Sequence, residues 1–410
     1  MAISVLYIHH AGSFGGASRS LLEMIEAFPS GSVKPYLITQ RGNVAEIFEK
    51  KGIPVITSCG ISQFDNTRYG YYRKARWALL LREVLYFFPT IISILKAKKK
   101  WNHFDLIHIN EITNVLPVIT SKAIFKKPVI VHCRSAQQNH SAKIRYRILE
   151  KLMSKFCDRI IAIDRTVQES LPSSFKVEVV HNGFNVENRN KFREIVDSPK
   201  IDELKNMNNG YMKIAMIGNL LKFKGVYEFV KAAKICIAKN LKVIFIFVGS
   251  VPPARDSLIK SVLKKIGLYH QIGSDIYRYI QKNKLTDNFR FIGFTQNIHS
   301  IYENIDVLCF PSHLNAVGRP VIEAAFYKVP SIVAITKPLN DTLIDHETGI
   351  CIYPKDHEAL AKAIEYFYLN PGEIKRMGHS AYRLAMKNFN IYHNAKTMLD
   401  IYRECFSFIN

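Results

Sequence analysis

At 410 residues the chain is too long for one hydrophobic core and about right for two domains of ordinary size. With 48% hydrophobic residues it can bury two cores, which excludes a disordered chain. Lysine and arginine outnumber aspartate and glutamate by 57 to 34, and this net charge of +23 favours an anionic partner: nucleic acid, an anionic membrane surface or a phosphorylated substrate.

The seven cysteines include no C-x-x-C pair, and their odd number favours the reduced thiols of a cytosolic protein over a disulfide framework or a zinc site. The first residues, MAISVLYIHHAG, contain an apolar run without a basic flank before it or a small-residue cleavage site after it. We therefore expect a buried strand there, not an export signal.

Short apolar strands alternate with amphipathic helices along the whole chain, which is the pattern of parallel sheets covered on both faces. Strands are predicted at residues 3–10, 33–39, 53–57, 104–110, 128–134, 159–164 and 176–182, and again at 211–219, 241–249, 288–294, 306–312, 330–335 and 349–354. Residues 185–210, between the two series, are polar and rich in asparagine, which predicts a linker. The final helical segment, residues 385–410, is expected to pack back on the first domain.

This pattern predicts an α/β protein of two doubly wound parallel-sheet domains, residues 1–200 and 201–384. Open parallel sheets bind ligands at the carboxyl ends of their strands, so we expect the two domains to face each other across a ligand-binding cleft.

The first predicted strand ends in a glycine-rich turn, HHAGSFGGASRS, that leads directly into a helix. Gly12, Gly15 and Gly16 would let a ligand approach the backbone, and the helix N-terminus beyond them favours an anion. The turn is not G-x-G-x-x-G and no acidic residue ends the second strand, so a nicotinamide cofactor is poorly supported. A plain tight turn is the alternative interpretation.

Residues 68–101 place basic clusters on both sides of an apolar, aromatic stretch, and residues 51–150 as a whole hold 17 basic and 5 acidic residues. The longest uncharged run, residues 84–95, is too short to span a bilayer, so we expect a helix lying in the membrane interface. The expected interfacial residues are Arg73, Lys74, Arg76, Trp77, Phe87, Phe88, Lys98, Lys99 and Lys100. The alternative is a core helix with a solvated basic end.

A second glycine turn, IGNLLKFKGVYEFV, carries Lys224 and Gly225 immediately before a predicted helix. A lysine at a helix N-terminus is electrostatically unfavourable unless an anion lies between the two, so the pattern predicts an anion site. A solvated lysine is the alternative.

A third turn follows the predicted strand at residues 306–312. Ser312, Asn315, Ala316 and Gly318 should leave backbone amides uncovered, and Pro320 suits a first helical position. Glu323 lies one turn into the predicted helix. Amides and helix dipole would bind phosphates while Glu323 accepts hydrogen bonds from ribose hydroxyls, so the loop predicts a nucleoside-diphosphate site.

The segment PSHLNAVGRPVIEAAFYKVPSIVA resembles the donor-binding segment of retaining glycosyltransferases with the GT-B fold, in particular glycosyltransferase family 4. The same family shows the glycine pair Gly15–Gly16, a histidine ending a mid-domain strand (His132), the pair Asn182–Gly183 and a G-x-L-x-x-x-K-G stretch at residues 218–225. Individually these motifs are weak, whereas their order and spacing along nearly the whole chain are specific.

The resemblance implies roles for these positions. His132 would lie against the donor sugar, Lys224 would bind the diphosphate and Glu323 the ribose, as the candidate catalytic residues. The remaining expected donor-binding residues are Gly16, Gly218, Asn219, Gly249, Phe294, Asn315, Ala316, Val317, Gly318 and Arg319, with the backbone around Gly249 and Phe294 beside the nucleobase.

Two positions depart from the family pattern. Asn315 replaces the first glutamate of a common Glu-x7-Glu pair, and Asn219 replaces an arginine that commonly assists the lysine on the diphosphate. Arg319 or Lys222 would have to compensate for that arginine, or helix dipoles would take a larger share of leaving-group stabilisation. No D-x-D motif occurs in the sequence, so no divalent metal or other cofactor is expected.

The resemblance implies a retaining, metal-independent hexosyltransferase that moves a sugar from a UDP- or GDP-linked donor to a saccharide or lipid-linked saccharide in surface-polysaccharide or glycolipid synthesis. We expect a cytoplasmic protein, peripheral on the inner face of the cell membrane. Nucleic acid is disfavoured because an aliphatic run, residues 91–95, interrupts the basic segment where stacking platforms would be needed.

Two other functions remain open. A sugar-nucleotide epimerase of the same fold would need acid and base carboxylates, for which Glu111 and Asp164 are the main candidates at the first domain's strand ends. A non-catalytic binder of nucleotide sugars or nucleic acid would explain Asn219, Asn315 and the charge.

Overall fold

The structure is a computed structural model that describes residues 2–68, 77–101, 103–138, 144–185, 198–207, 210–249, 272–295 and 297–407. The chain divides into two compact units. The first unit comprises Met1–Asn185 and Asn388–Asn410, and the second comprises Val186–Lys387.

The first unit is built on a seven-stranded parallel sheet. Its strands are β1 (Ile3–His9), β2 (Val33–Gln40), β3 (Val55–Ser58), β4 (Leu106–Ile109), β5 (Val129–Cys133), β6 (Arg159–Ala162) and β7 (Val177–Val179). The order across the sheet is β3-β2-β1-β4-β5-β6-β7. Its described helices are Gly16–Glu26, Asn43–Lys50, Ala78–Leu85, Phe87–Trp101, Val115–Phe125, Ile144–Phe156, Arg165–Glu169 and Ile391–Ser407.

Both faces of this sheet are covered, as the nearly continuous apolar strands require. Successive side chains of β1 point to opposite faces, so Leu6 and Ile8 join one core while Val5 and Tyr7 join the other. The C-terminal helix Ile391–Ser407 contributes Tyr402 to the second of these cores. This helix therefore belongs to the first unit, although it is last in the chain.

The second unit has six parallel strands. They are β8 (Met212–Ile217), β9 (Val243–Val248), β10 (Phe289–Gly293), β11 (Val307–Phe310), β12 (Ser331–Ala334) and β13 (Gly349–Ile352), in the order β10-β9-β8-β11-β12-β13. Its described helices are Pro199–Asn206, Val226–Ala238, Ile272–Lys282, Ile298–Tyr302, Arg319–Phe326, His357–Leu369 and Pro371–Asn388, with 3₁₀ turns at Lys222–Lys224 and Thr286–Asn288. The two sheets confirm the predicted fold class and all thirteen predicted strands.

The predicted linker is wrong in its second half. Residues Pro199–Asn206 form a helix whose Ile201 and Leu204 are buried in a core of the second unit. Proline in the first helical turn and apolar residues three apart explain the helix, because both suit an amphipathic surface helix. The first half, residues 186–197, lies outside the described residues.

Residues Ala78–Trp101 form a 24-residue helical stretch interrupted at Tyr86, and only 22% of its apolar window is buried. By length and composition this stretch could cross a membrane, although core helices of soluble proteins meet the same criteria. The expected interfacial residues Arg73, Lys74 and Arg76 lie outside the described residues.

Candidate functional site

The second sheet has its topological switch point between β8 and β11, where chain connections leave in opposite directions. The two loops that begin at this point are residues 218–225 and 311–318, the same loops that the sequence identified as phosphate-binding candidates. Ligands bind at such points in open parallel sheets because the diverging connections leave a crevice.

These two loops contact each other directly. The backbone N–H of His313 donates to the Phe223 carbonyl at 2.8 Å. Gly225 has φ +83°, and a β-carbon there would lie 1.9 Å from the Pro311 carbonyl oxygen. A larger residue would force the loops apart, so glycine at 225 is required by backbone conformation as well as by close approach.

Lys224 lies half-buried at the junction of the two loops. Its Nζ is 5.3 Å from the centre of the Phe310 ring, and no hydrogen bond or ion pair of its ammonium group is found among the described residues. Burial lowers its pKa from the ordinary lysine value. A cation that lacks a carboxylate partner in this part of the protein is electrostatically prepared for an anionic ligand.

The helix Arg319–Phe326 begins directly after the second loop, and its N-cap residue, Gly318, provides no side-chain cap. A β-carbon at Gly318 would lie 2.2 Å from the Phe310 ring, so the loop runs close over that side chain. The first amides of an uncapped helix need acceptors, and the helix dipole favours an anion there. The helix starts one residue before Pro320, which lies in its first turn.

Glu323 is buried, with a relative exposure of 4%, on this helix. Its Oε1 accepts from Arg319 Nε at 2.6 Å and its Oε2 accepts from the Tyr302 hydroxyl at 2.8 Å. A carboxylate has further lone pairs, so these two bonds orient Glu323 without exhausting it as an acceptor. Its assignment to ribose stays a prediction.

Two side chains of the second loop, those of Ser312 and Asn315, form hydrogen bonds within the protein. Ser312 is fully buried, and its hydroxyl donates to the Phe223 carbonyl at 3.3 Å, so it braces the loop instead of leaving amides open. The Oδ1 of Asn315 accepts from the Thr336 backbone N–H at 2.7 Å. That oxygen also accepts from the Thr336 hydroxyl at 3.1 Å, so it is bonded within the protein, and the donor-binding role of Asn315 stays a prediction. Ala316 and Val317 are half-buried beside it.

Glycines end three adjacent strands of the same sheet: Gly218 after β8, Gly249 after β9 and Gly293 at the end of β10. The Gly249 N–H donates to the Gly293 carbonyl at 2.8 Å, and a β-carbon on Gly249 would lie 2.2 Å from the Gly218 carbonyl oxygen. This leaves an open backbone surface beside Phe294, whose relative exposure is 75%. An exposed ring next to bare backbone suits a planar ligand group. Asn219 is also exposed.

In the first sheet, the switch point lies between β1 and β4. The helix Gly16–Glu26 begins there, and β-carbons on Gly15 or Gly16 would meet no atom within 4 Å. Gly12 differs, because a β-carbon would lie 2.2 Å from the Arg41 carbonyl oxygen. Gly12 is thus required by packing, while the space over Gly15 and Gly16 is open.

His132, in β5 beside this switch point, is buried, with a relative exposure of 2%. Burial lowers its pKa well below the ordinary histidine value, and the charges of Arg134 and His108 lower it further. His108 instead hydrogen-bonds the Tyr402 hydroxyl at 2.7 Å, which ties β4 to the C-terminal helix. His132 is therefore a neutral side chain, and its contact with a sugar stays a prediction.

Sequence reasoning missed Asn110 and Arg134, which follow the neighbouring strands β4 and β5. Arg134 Nε donates to Asn110 Oδ1 at 2.8 Å, and Arg134 Nη1 donates to Asn182 Oδ1. Glu111 is buried next to them, and desolvation raises the pKa of its carboxyl group to about 7. Polar residues directly after two adjacent parallel strands were the available signal, since such ends meet at one edge.

Among the described residues, no group of three or more histidine, cysteine, aspartate or glutamate side chains is arranged to hold a metal ion.

Comparison with known families identifies both halves of the chain. Residues 14–188 match the family described as Glycosyltransferase Family 4, and residues 197–384 match the family described as Glycosyl transferases group 1.

Two relatives align along most of the chain. The capsular polysaccharide biosynthesis glycosyltransferase CapM of Staphylococcus aureus is 23% identical over 368 residues, covering 85% of this chain and 89% of the relative. An α-1,4-N-acetyl-D-galactosaminyltransferase of Campylobacter jejuni, whose described acceptor is a diphosphoundecaprenol-linked saccharide, is 22% identical over 333 residues, covering 80% and 82%.

Solved structures share the fold. Anabaena HepE, crystallised with UDP, superimposes with a TM-score of 0.72 at 18% identity, covering 98% of this chain and all of that one. A Rickettsia africae glycosyltransferase gives a TM-score of 0.75 at 16% identity, covering 98% of each chain. With both family matches and two sheets built around glycine-rich switch points, the chain belongs to the family 4 glycosyltransferases of the GT-B fold.

Proposed function

We propose that the protein is a retaining, metal-independent hexosyltransferase that uses a UDP- or GDP-linked sugar and a lipid-linked saccharide acceptor in the synthesis of a surface polysaccharide or glycolipid. The observation that carries the donor assignment is Lys224, a half-buried cation without a carboxylate partner among the described residues, next to the uncapped helix that starts at Arg319. HepE binds UDP and UDP-glucose, which favours UDP over GDP as the nucleotide.

The chemistry requires that the bond between the sugar carbon and the diphosphate oxygen break, with the electron pair leaving on the diphosphate. Lys224 and the amides at the start of the Arg319–Phe326 helix would stabilise that charge as it develops. Glu323 would hold the ribose, oriented for this by Arg319 and Tyr302. The acceptor hydroxyl would bond to the same sugar face and release its proton to the leaving diphosphate.

The proposal of metal independence rests on the same residues and on the sequence. A divalent ion on a diphosphate is usually held by carboxylates, and the sequence has no D-x-D motif. Lysine and helix amides would supply the positive charge instead. Activity should therefore survive a chelator, and loss of activity in chelator with recovery on adding Mg²⁺ or Mn²⁺ would overturn this part of the proposal.

A group of exposed apolar side chains on the first unit, the apolar surface, supports a lipid-linked acceptor. It comprises Trp77, Leu81, Val84, Leu85, Phe87, Phe88, Ile92 and Leu95 on residues 77–101, together with Ile144 and Ile148 in the first turns of the helix Ile144–Phe156. Leu81 and Leu85 are each 71% exposed and Phe88 is 69% exposed. Together with Lys98, Lys99 and Lys100, this composition suits an anionic bilayer surface.

The same stretch is anchored to the domain, which favours an interfacial position over a spanning one. Glu83 accepts from the Gln63 backbone N–H at 2.7 Å, and Thr90 Oγ1 accepts from the Ser62 N–H at 2.9 Å. A spanning helix would have to break these buried bonds and carry Glu83 into hydrocarbon, where unsatisfied polar groups are costly.

Vesicle co-sedimentation tests the surface. The parent should bind vesicles containing anionic lipid and release as salt rises, whereas a variant with Leu81, Leu85 and Phe88 changed to serine should stay in solution. Tyr353, 71% exposed in the second unit, supplies the matched control, because Tyr353→Ser should bind like the parent. If all three proteins remain in solution at low salt, a soluble acceptor is the better assignment.

The catalytic proposal is tested with a panel of UDP- and GDP-sugars, with and without polyprenyl-diphosphate-linked saccharides, by measuring nucleoside diphosphate release. Nuclear magnetic resonance of the product then reports whether the anomeric configuration is retained. Release without any acceptor saccharide would favour hydrolysis, and conversion of one nucleotide sugar into another without release would favour an epimerase. Glu111, with a carboxyl pKa of about 7, is the observation that keeps the epimerase in consideration.

A further inference from the structure

A chain of hydrogen bonds joins four strand ends at the carboxyl edge of the first sheet. It runs from Arg134, after β5, to Asn110, after β4, and from there to His9 at the end of β1. Nη1 of the same guanidinium group donates to Asn182 Oδ1, after β7. Nothing in the proposed chemistry uses Arg134, yet its guanidinium group connects segments that are distant in sequence.

The bonds determine how each group is oriented. Because Asn110 Oδ1 accepts from Arg134 Nε, the amide nitrogen of Asn110 must face His9, and it lies 3.0 Å from His9 Nδ1. An amide nitrogen only donates, so His9 Nδ1 must accept. His9 is then neutral, with its proton on Nε2. A protonated ring would also carry a proton on Nδ1, and this N–H would point at the N–H of Asn110.

The His9 proton continues the chain into the glycine turn. His9 Nε2 lies 3.1 Å from Ser18 Oγ, and the same oxygen accepts from the Gly15 backbone N–H at 3.3 Å. The chain of bonds therefore links the Gly15–Gly16 turn, through the side chains of Asn110, His9 and Ser18, to the guanidinium of Arg134.

We propose that Arg134 is the positioning residue of the first domain's site: through Asn110 and the tautomer of His9 it holds the Gly15–Gly16 turn in shape for substrate. This inference rests on the proposed transferase function for its kinetic consequence, but the tautomer can be measured without activity.

The positive charge of Arg134 also favours neutral histidines around it. Burial is the main cause that lowers the pKa of His9, His108 and His132, and the Arg134 charge lowers each further. The Arg134 charge also lowers the pKa of Glu111, Cys133 and Tyr402, against the larger effect of their burial. The Arg134 charge therefore adds to burial in favouring the neutral form of these histidines.

The decisive variant is Asn110→Asp, which keeps the side-chain shape and the bond from Arg134 but replaces the donor facing His9 by an acceptor. His9 should then take a proton on Nδ1, so its pKa should rise by at least one unit. Ring-nitrogen resonances of His9, assigned with a His9→Gln variant, report both the tautomer and the pKa.

Arg134→Lys separates charge from geometry. Lysine keeps the positive charge but cannot bond Asn110 and Asn182 with one planar group, so kcat/KM should fall about tenfold while the histidine pKa values stay low. Arg134→Met should also raise the pKa of His9 and His132. Arg159→Lys, on the same sheet's β6 but bonded to Glu178 and Glu404, is the matched control and should leave both readouts unchanged.

The outcomes separate the two proposals. If the protein transfers no sugar but Asn110→Asp still shifts the His9 resonances, the transferase assignment fails and the Arg134 network stands. If His9 carries its proton on Nδ1 in the parent, or if Asn110→Asp and Arg134→Met leave its titration unchanged, the positioning role of Arg134 is wrong.

Discussion

The switch points of the two sheets differ in the groups that line them. In the second unit, the site consists mostly of backbone: Gly218, Gly249 and Gly318 leave peptide groups open, and Lys224 adds one charge. In the first unit, it consists of side chains that titrate or hydrogen-bond, including the buried His9 and His132 and the half-buried Arg134. Both units share one doubly wound topology, so the difference is not imposed by the fold.

We infer from this difference that the two switch points serve different recognition tasks. Backbone amides and a lysine recognise phosphate by charge and shape, a requirement common to every nucleotide sugar. Buried, oriented side chains depend on one protonation state and one set of bonds, so they suit the discrimination of hydroxyl groups on a sugar or acceptor. Four predictions test this comparison.

Lys224→Ala should have the largest effect. One diphosphate contact stabilising the developing charge contributes about 2.7–4 kcal/mol, so kcat should fall by roughly 10²–10³-fold while thermal stability stays near that of the parent. Nucleoside diphosphate release measures the rate. Lys234→Ala, at an exposed position of the helix that follows, should match the parent. Unchanged turnover in Lys224→Ala would place the diphosphate elsewhere.

Glu323→Gln should weaken nucleotide binding. A charge-assisted hydrogen bond contributes about 1.5–3 kcal/mol, so the affinity for free nucleoside diphosphate should fall about 10- to 100-fold by calorimetry. Glutamine keeps one acceptor oxygen and the bulk of the side chain, which limits damage to the Tyr302 and Arg319 contacts. Equal affinity in both proteins would make Glu323 a structural residue that orients Arg319.

Acid should destabilise the first unit through its neutral histidines. Burial lowers the pKa of His10 from 6.5 to about 4, opposed by the nearby Asp65 charge. A lowered pKa means that the folded state binds fewer protons, so its stability contribution is present above pH 6.5 and is lost as the pH falls towards 4. At pH 5 the loss from His10 alone is about 1–2 kcal/mol.

Thermal unfolding at pH 7.5 and pH 5 of the parent and of His10→Gln measures this contribution. The variant should lose less stability between the two pH values than the parent does. His379→Gln, an exposed position of the second unit, should retain the full pH dependence of the parent. The opposite ranking of His10→Gln and the parent would mean that His10 is charged in the folded protein.

The smallest effect is expected from Asn219→Arg, which adds a second cation to the Lys224 loop. Nucleoside diphosphate affinity should rise by about 0.5–1 kcal/mol, and the gain should shrink as salt is added. Asn206→Arg, exposed at the end of the Pro199–Asn206 helix, adds the same charge elsewhere and should change affinity little. No gain, or the same gain in both variants, would show that position 219 does not face the diphosphate.

The sequence was sufficient for the strands and the fold class because both depend on local periodicity. Thirteen strands follow from apolar runs bounded by turn residues, and the glycine-to-helix turns at Gly16, Gly225 and Gly318 follow from residue type. The helix at Pro199–Asn206 was missed because most of its residues are polar, which is typical of a linker. Its two buried residues, Ile201 and Leu204, are identified only by their packing in a core of the second unit.

What the sequence by itself determined is therefore the order of the strands and the family. It also supplied the candidate residues of the second unit's site, because glycine, proline and lysine at strand ends have predictable local effects on backbone conformation and charge. Only the tertiary structure decided which side chains share hydrogen bonds: Arg134 with Asn110 and Asn182, His9 with Ser18, and Asn315 with Thr336. Such pairings join strands far apart in the chain, and their energy depends on distance, orientation and burial, which residue types and spacing do not specify.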